Sequence, residues 1–283
     1  MSAPASQAAP AGAPAAPVAA LPRRFGAWYV TEHNLRRLKN YGGTIVATIL
    51  GTPLLYLFAF GVGVATLVTG NEGPGSEDGV SYLAFVAPAL LCAAAITVAS
   101  EEFTYTIMMG FKWNPIFVGM NAAPISARQI VDGVVLFVLL RMLATALVYY
   151  LVMLAFGAVP SPAGGALAVL VAVLTGLAFG TPLMAYSASL TEDRGQFAMI
   201  MRFIVLPMTL FSGTMFPLET LPWFLQWVGW ISPLWHGAEL SRVLAYGAAE
   251  APWLTAIHLV YLLALAVVGW RLAVRISTRR LDR

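Results

Sequence analysis

Six long apolar runs divide the chain: Thr44–Val68, Tyr82–Ser100, Ile130–Phe156, Ala166–Leu190, Phe197–Phe216 and Trp253–Trp270. Each is close to the ~20 residues that a helix needs to cross the hydrocarbon of a bilayer. The pattern predicts an all-α integral membrane protein with six transmembrane helices. Pro53 lies inside the first run and predicts a kink there, since proline removes a helical N–H. Gly61 and Gly63 in the first run, and Gly176 and Gly180 in the fourth, suit close helix packing.

The polar stretches between the runs differ from one another. Thr69–Ser81 holds Glu72, Glu77 and Asp78 and no Lys or Arg. Glu101–Gln129 is too polar for membrane and too apolar for an ordinary loop. It contains Glu101, Glu102, Lys112, Trp113, Asn114, Pro115, Asn121, Pro124 and Arg128. Thr191–Gln196 is short and charged. Residues 1–22 are mostly Ala and Pro with scarcely a large side chain, so they cannot bury enough surface to order themselves and predict a disordered cytoplasmic tail. Residues 23–40 mix Phe25, Trp28, Tyr29, Leu35 and Leu38 with Arg36, Arg37 and Lys39. Trp28, Leu35 and Leu38 share a broad helical face, with Lys39 within it. The residues alone fit two descriptions: a basic flank that only sets topology, or an amphipathic interfacial helix.

Composition sharpens this picture. The chain is 59% hydrophobic and 10% charged, against the roughly 25% charged residues of soluble domains. The positive charge also sets an orientation. With the N-terminus in the cytoplasm, the inner segments hold all but Arg141 and Arg242 of the 16 Lys and Arg residues, as the positive-inside rule requires. An even number of spans returns the C-terminus, with Arg271, Arg275, Arg279, Arg280 and Arg283, to the same side.

Chemistry-bearing motifs are scarce. Lys39 follows Leu38 and Lys112 follows Phe111, so neither completes a phosphate-binding loop. His33, His236 and His258 are far apart in sequence, and Cys92 is the sole cysteine, so no disulfide or thiol metal cluster is expected. No catalytic or metal-ligating residue is assigned. Arg141 stands out, because an arginine deep in a span costs ~2.5 kcal/mol or more unless paired or hydrated. No span offers it an obvious carboxylate; Asp132 lies on the opposite face, four residues after Arg128, with which it can pair. Arg141 therefore reads either as a structural arginine or as an anion-binding point on a polar route.

The stretch Leu210–Arg242 carries the strongest pattern. Phe211-Ser212-Gly213 is followed by Phe216-Pro217, Leu221-Pro222, the tryptophans Trp223, Trp227 and Trp230, Pro233, Trp235, and Glu239-Leu240 with Arg242. Tryptophans concentrate where lipid meets water, so the chain here leaves the membrane core and re-forms as short broken helices. In order and spacing this resembles the signature of ABC-2 type exporter permeases, in the branch with the nodulation-factor and daunorubicin exporters. The resemblance implies an N-terminal interfacial helix over 23–40, a transmembrane domain over 41–283, and short re-entrant helices before the last span. It further implies a bacterial cytoplasmic-membrane location and a second copy of the chain or a homologous permease. A separate ABC ATPase would carry the ATP and magnesium, with no cofactor on this chain and no nucleic-acid partner. In that family the loop after the second span forms a coupling helix on the ATPase. The matching position is about Lys112–Pro124, with Glu101, Glu102, Lys112, Trp113, Asn114 and Pro115 as candidate coupling residues. Candidate substrate-path residues are Arg141, Phe211, Met215, Phe216, Trp223 and Trp227. The implied cargo is amphipathic: a glycolipid, lipid-linked saccharide, lipid or drug. Two rivals remain at this point. One is an integral-membrane lipid-modifying enzyme using Arg141 with Glu101 and Glu102. The other is an ion-coupled secondary transporter, which would call for internal repeats or intramembrane carboxylates.

Overall fold

The computed structural model describes residues 24–64 and 79–282. The expected tail over 1–22, the end of the first span and the acidic residues Glu72, Glu77 and Asp78 fall outside them. All regular elements among the described residues are helical. Helix α1 (Gly26–Leu38) runs through a 3-10 turn at Lys39–Tyr41 into α2 (Gly42–Phe58), which ends in a π-helical stretch at Ala59–Val64. Then come α3 (Tyr82–Glu101), α4 (Ile116–Ala122), α5 (Ala127–Ala155) and α6 (Pro162–Ser189). The short α7 (Gln196–Ile200) and α8 (Leu206–Phe211) are joined by a π-helical stretch at Met201–Val205. After a 3-10 turn at Leu218–Thr220 the chain forms α9 (Trp223–Ile231), α10 (Pro233–Tyr246) and α11 (Pro252–Leu281).

Local chemistry sets several boundaries. Ser126 and Gln129 form a reciprocal capping box at the start of α5. Ser161 caps α6 ahead of Pro162, whose missing N–H costs nothing at a first helical position. At the far end of α6, Arg280 donates to the carbonyls of Ala188 and Leu190 at 2.8 and 2.6 Å. Those are the carbonyls that a helix end leaves unsatisfied.

The core forms where α6 lies between α3, α10 and α11. Gly176 and Gly180 permit this. A Cβ at Gly176 would sit 2.5 Å from Met142 Sδ and 3.1 Å from the Ala95 carbonyl oxygen, and one at Gly180 would strike the Phe103 ring. Gly63 does not act in this way, since a Cβ there would meet nothing within 4 Å.

Several sequence expectations change. The second apolar helix does not stop at Ser100. It continues through π-helical turns at Glu102–Thr106 and Met109–Trp113, so the stretch Tyr82–Trp113 is one helical rod. The last helix passes Trp270 and reaches Leu281. The fifth apolar run forms helix only over Gln196–Phe211, about 24 Å at 1.5 Å per residue, and Ser212–Phe216 are bends. Among the described residues, five helical stretches are by length and composition able to cross a bilayer of about 30 Å. Helix α1 has a second face, distinct from the Trp28–Leu35–Leu38 stripe, that is buried against the bundle. That face is Gly26, Val30, Thr31 and Asn34, while Trp28 is 49% exposed. Close approach explains this. Thr31 Oγ1 donates to the Gly133 carbonyl of α5 at 2.9 Å, and a Cβ at Gly133 would sit 2.5 Å from the Ala27 carbonyl oxygen. A contact that tight admits small residues and excludes an indole.

Candidate functional site

One end of the bundle gathers the basic side chains. Lys112, at the tip of the α3 rod, pairs with Glu192 of the α6–α7 loop at 3.4 Å. The guanidinium of Arg280 stands over the Phe111 ring, and Asn121 of α4 donates to the Leu281 carbonyl. Arg128 pairs with Asp132, as their spacing suggests, and lies over the Trp270 ring, whose Nε1 donates to Asp132 at 2.7 Å. Lys112, Trp113, Asn114 and Pro115 form an exposed tip at this end. The segment around Lys112 and the short loop at Glu192, read separately in the sequence, thus make one surface.

Glu101 and Glu102 are not on that surface. They sit about three turns back along the rod and meet Arg141. Its Nη1 donates to Glu102 Oε1, and its Nη2 lies 3.4 Å from Glu101 Oε2. Arg141 therefore does have carboxylate partners, contrary to expectation. Sequence reasoning missed them because it ended the second span at Ser100, whereas the helical rod continues past the glutamates and carries them alongside α5. The network reaches a third helix. Arg37 of α1 lies 4.0 Å from Glu102 Oε2 and donates to Thr106 Oγ1, which itself donates to Glu102 at 2.6 Å. Two arginines and two glutamates balance in charge, so the desolvation that isolated charges would suffer is largely offset.

A polar stripe leads away from this network. Arg141, Thr145 and Tyr149 follow one another at four-residue spacing on α5, and Arg141 Nε, Thr145 Oγ1 and Tyr149 Oη are buried without a partner. An unmet buried polar atom costs about 1–3 kcal/mol, so three in a row mark a place suited to water or a polar ligand. The stripe ends at a cavity of about 190 Å³. Six of its lining residues carry hydroxyls: Thr52, Tyr56, Thr97, Tyr149, Thr209 and Thr214. Its remaining lining residues are apolar, so the cavity is neutral. Of the proposed path residues only Met215 lines it. Arg141 sits in the ion network, Phe211 and Phe216 are half-buried nearby, and Trp223 and Trp227 of α9 face outward, 83% and 55% exposed. Sequence reasoning missed the threonines and Tyr149, because hydroxyls scattered over apolar runs give no periodic signal.

Beside the cavity lies a deeply buried arginine. Arg242 is 1% exposed. Its Nε donates to the Phe85 carbonyl, its Nη2 to those of Gly213 and Thr214, and its Nη1 to Glu239 at 2.7 Å. The Phe85 ring lies under the guanidinium, 3.8 Å from centroid to Cζ. Gly213 turns the chain with φ +67°, a conformation that a side chain would strain. The two ends of the Leu210–Arg242 pattern therefore touch: the arginine that closes it staples the glycine turn that opens it. Arg242, which the charge count leaves out of the inner segments, is buried within the protein.

The sequence comparison follows the same boundaries. Residues 27–246, from the start of α1 to the end of α10, match the family described as ABC-2 type transporter. The chain belongs to the ABC-2 type transporter family. Among relatives of this ABC-2 transporter chain, Nodulation protein J of Rhizobium meliloti (strain 1021) is 28% identical over 93% of this chain and 97% of the relative. Nodulation protein J of Rhizobium leguminosarum bv. viciae is 29% identical over 84% and 89%, and that of Bradyrhizobium diazoefficiens 28% over 84% and 88%. The ABC-2 family and the apolar helices together make this a multi-pass membrane protein and a transport subunit of the ABC type, with an export role. Members of the family generally work with an ABC ATPase.

Proposed function

We propose that the chain is the membrane-spanning subunit of an ATP-driven exporter in a bacterial cytoplasmic membrane, with a separate ATPase supplying hydrolysis. The observation that carries this reading is the exposed Lys112–Pro115 tip on a helical rod continuous from Tyr82, beside the Glu192 loop. A motor pressing on that tip acts directly on a helix that traverses the bundle. Glu101 and Glu102 then serve inside, passing rod movement to α5 through Arg141 and to α1 through Arg37. The basic end faces the cytoplasm, in line with the positive-inside rule. Helix α1 lies along the inner leaflet, with Phe25, Trp28 and Tyr29 toward lipid. Helices α7 and α8, extended by the bends that follow, form the sixth crossing. Helices α9 and α10 re-enter from the outer side, and both chain ends lie in the cytoplasm. A second copy, or a homologous permease, completes the path. The ATP and magnesium belong to the ATPase, and no nucleic acid takes part.

The cargo is an amphipathic molecule such as a glycolipid, lipid-linked saccharide, lipid or drug. The hydroxyl-lined, uncharged cavity suits a neutral polar head, while the exposed Leu206 and Leu210 beside it suit an acyl chain. The charge-balanced Arg141 network weighs against the lipid-modifying enzyme. Its carboxylates are occupied by arginines. The deciding experiment is a tagged pull-down in mild detergent from the native cell, followed by mass spectrometry. Co-purification of a stoichiometric soluble protein with a phosphate-binding loop supports the exporter. A chain that runs alone in several detergents removes ATP-driven export.

A further inference from the structure

A second buried polar cluster lies at the end of the bundle opposite the basic residues, and the transport scheme does not use it. His236 of α10 and His258 of α11 face each other with their Nδ1 atoms 2.6 Å apart. His236 Nε2 lies 3.1 Å from the Trp230 carbonyl oxygen of α9, and His258 Nε2 lies 2.8 Å from Glu250 Oε1. Thr255 donates to the other oxygen of Glu250 at 2.5 Å. The rings are enclosed: Tyr261 stacks on His236 at 4.1 Å, and Trp235 stands edge-on to both. His236 is 5% exposed and His258 is fully buried.

Counting protons constrains this cluster. Three contacts run in series: Trp230 carbonyl to His236, His236 to His258, and His258 to Glu250. Each joins two atoms that can only accept unless a proton lies between them. Two neutral imidazoles carry two N–H groups, one each. A carbonyl cannot donate, so His236 must use its N–H at Nε2. The two contacts that remain need two protons, and His258 supplies only one. Without another, either two ring lone pairs meet at 2.6 Å or a ring lone pair meets a carboxylate. One further proton completes the series, whether it resides on His258 as an imidazolium beside ionised Glu250 or on Glu250 as the acid. A second added proton has nowhere to go, since it would set two N–H groups head to head between the rings.

We infer that His236, His258 and Glu250 form a proton-binding site whose single bound proton holds the short helices α9 and α10 against the last helix α11. Tyr261 closes the same joint by donating to the Ile231 carbonyl at 2.5 Å. The surroundings leave this assignment intact. On α10, Glu239 and Arg242 pair with each other. The 3-10 turn presents Glu219, α11 presents Tyr261, and the facing part of α6 carries no charged side chain. The joint therefore opens in both directions of pH. Loss of the single proton sets two acceptors against each other in one of the contacts. At low pH a second proton enters His236, which burial holds well below its usual value, at about 4. The pKa is lowered in the closed state, so closure weakens as pH falls from about 6.5, the free-histidine value, toward about 4.

The test uses the full chain in detergent. The thermal unfolding midpoint is followed from pH 4 to 9 for the wild type, Glu250→Gln and His258→Phe. The wild type should show a bell-shaped profile. Glu250→Gln supplies the missing donor from its amide, so its alkaline limb should flatten while the acid limb stays. His258→Phe removes the proton-bridged contact, so it should lose the alkaline limb and keep the acid limb of buried His236. An alkaline limb identical in the wild type and Glu250→Gln overturns the proposal. If His258→Phe does not fold, histidine 15N resonances of the wild type decide. The chain has three histidines, and exposed His33 is the internal reference. At neutral pH one proton shared between two Nδ1 atoms is expected. Two bare Nδ1 atoms, or titration matching His33, overturns the proposal.

Discussion

Arg242 and Arg141 are both withdrawn from water within an apolar bundle, yet they are held in opposite ways. Arg242 is fixed mainly by backbone carbonyls, those of Phe85, Gly213 and Thr214, with Glu239 one turn away on its own helix. Backbone acceptors move only if the fold moves, so this arginine is a staple. Arg141 is held by two carboxylates on a different helix, one of which also lies beside Arg37 on a third, and its Nε is unmet. Side-chain acceptors can exchange partners while the backbone shifts little. The same residue type thus fixes a turn at one place and links three helices through side chains at another. Whether the acceptor is main chain or side chain decides which.

The sharpest way to break this contrast is at Arg242. Arg242→Ala leaves Glu239 and two turn carbonyls unmet and should cost about 3–5 kcal/mol, read as a large drop in unfolding midpoint or loss of folded protein. Arg242→Lys should recover less than half, because an ammonium cannot reach divergent carbonyls together or stack flat on Phe85. A lysine variant that melts like the wild type would refute the staple.

Next comes the junction. Arg141→Ala and Glu102→Ala should each destabilise, and the double variant should show a coupling of about 0.5–3 kcal/mol in a cycle of unfolding midpoints. Zero coupling would mean that the pairing contributes nothing.

Smaller effects are expected where the contrast predicts freedom. Tyr149→Phe removes a hydroxyl with no partner, so stability should be unchanged within about 0.5 kcal/mol or slightly raised. Cargo-stimulated ATPase activity of the reconstituted transporter should nevertheless fall, if the cavity receives a polar head. Unchanged stimulation would move the cargo elsewhere.

The smallest stability change belongs to the tip. The exposed Lys112–Glu192 pair contributes only about 0–1 kcal/mol, so Lys112→Ala with Trp113→Ala should melt close to the wild type. The same variant should uncouple the reconstituted ATPase. Retained coupling would move the docking surface away from Lys112–Pro115.

Much of the helical layout was legible because a bilayer solvent imposes long apolar runs. The starts at Tyr82, Ala127 and Pro162 came within four residues of expectation, helped by serines that cap helices. The failures have a common source. The spans were ended at Ser100 and Trp270 because polar residues follow, but hydrophobicity reports what touches lipid and not where a helix stops. The fifth run erred the other way, since Ser212–Phe216 is apolar enough for membrane while the turn at Gly213 ends the helix. The Glu239–Arg242 pair had a visible signal, two opposite charges three residues apart in an apolar stretch. Its carbonyl partners had none.

By itself the sequence determined that this chain lives in a membrane, which of its ends is basic, and, through the spacing from Phe211 to Arg242, its family. Those properties depend on composition and local order, which solvent and covalent geometry read directly. Only the tertiary structure decided which polar groups meet. Arg141 finds Glu102, Arg242 finds Gly213, and His236 finds His258 across separations that leave no periodic trace. Such partners are set by how helices cross, and crossing is fixed by small residues such as Gly133, Gly176 and Gly180 rather than by the charges it brings together.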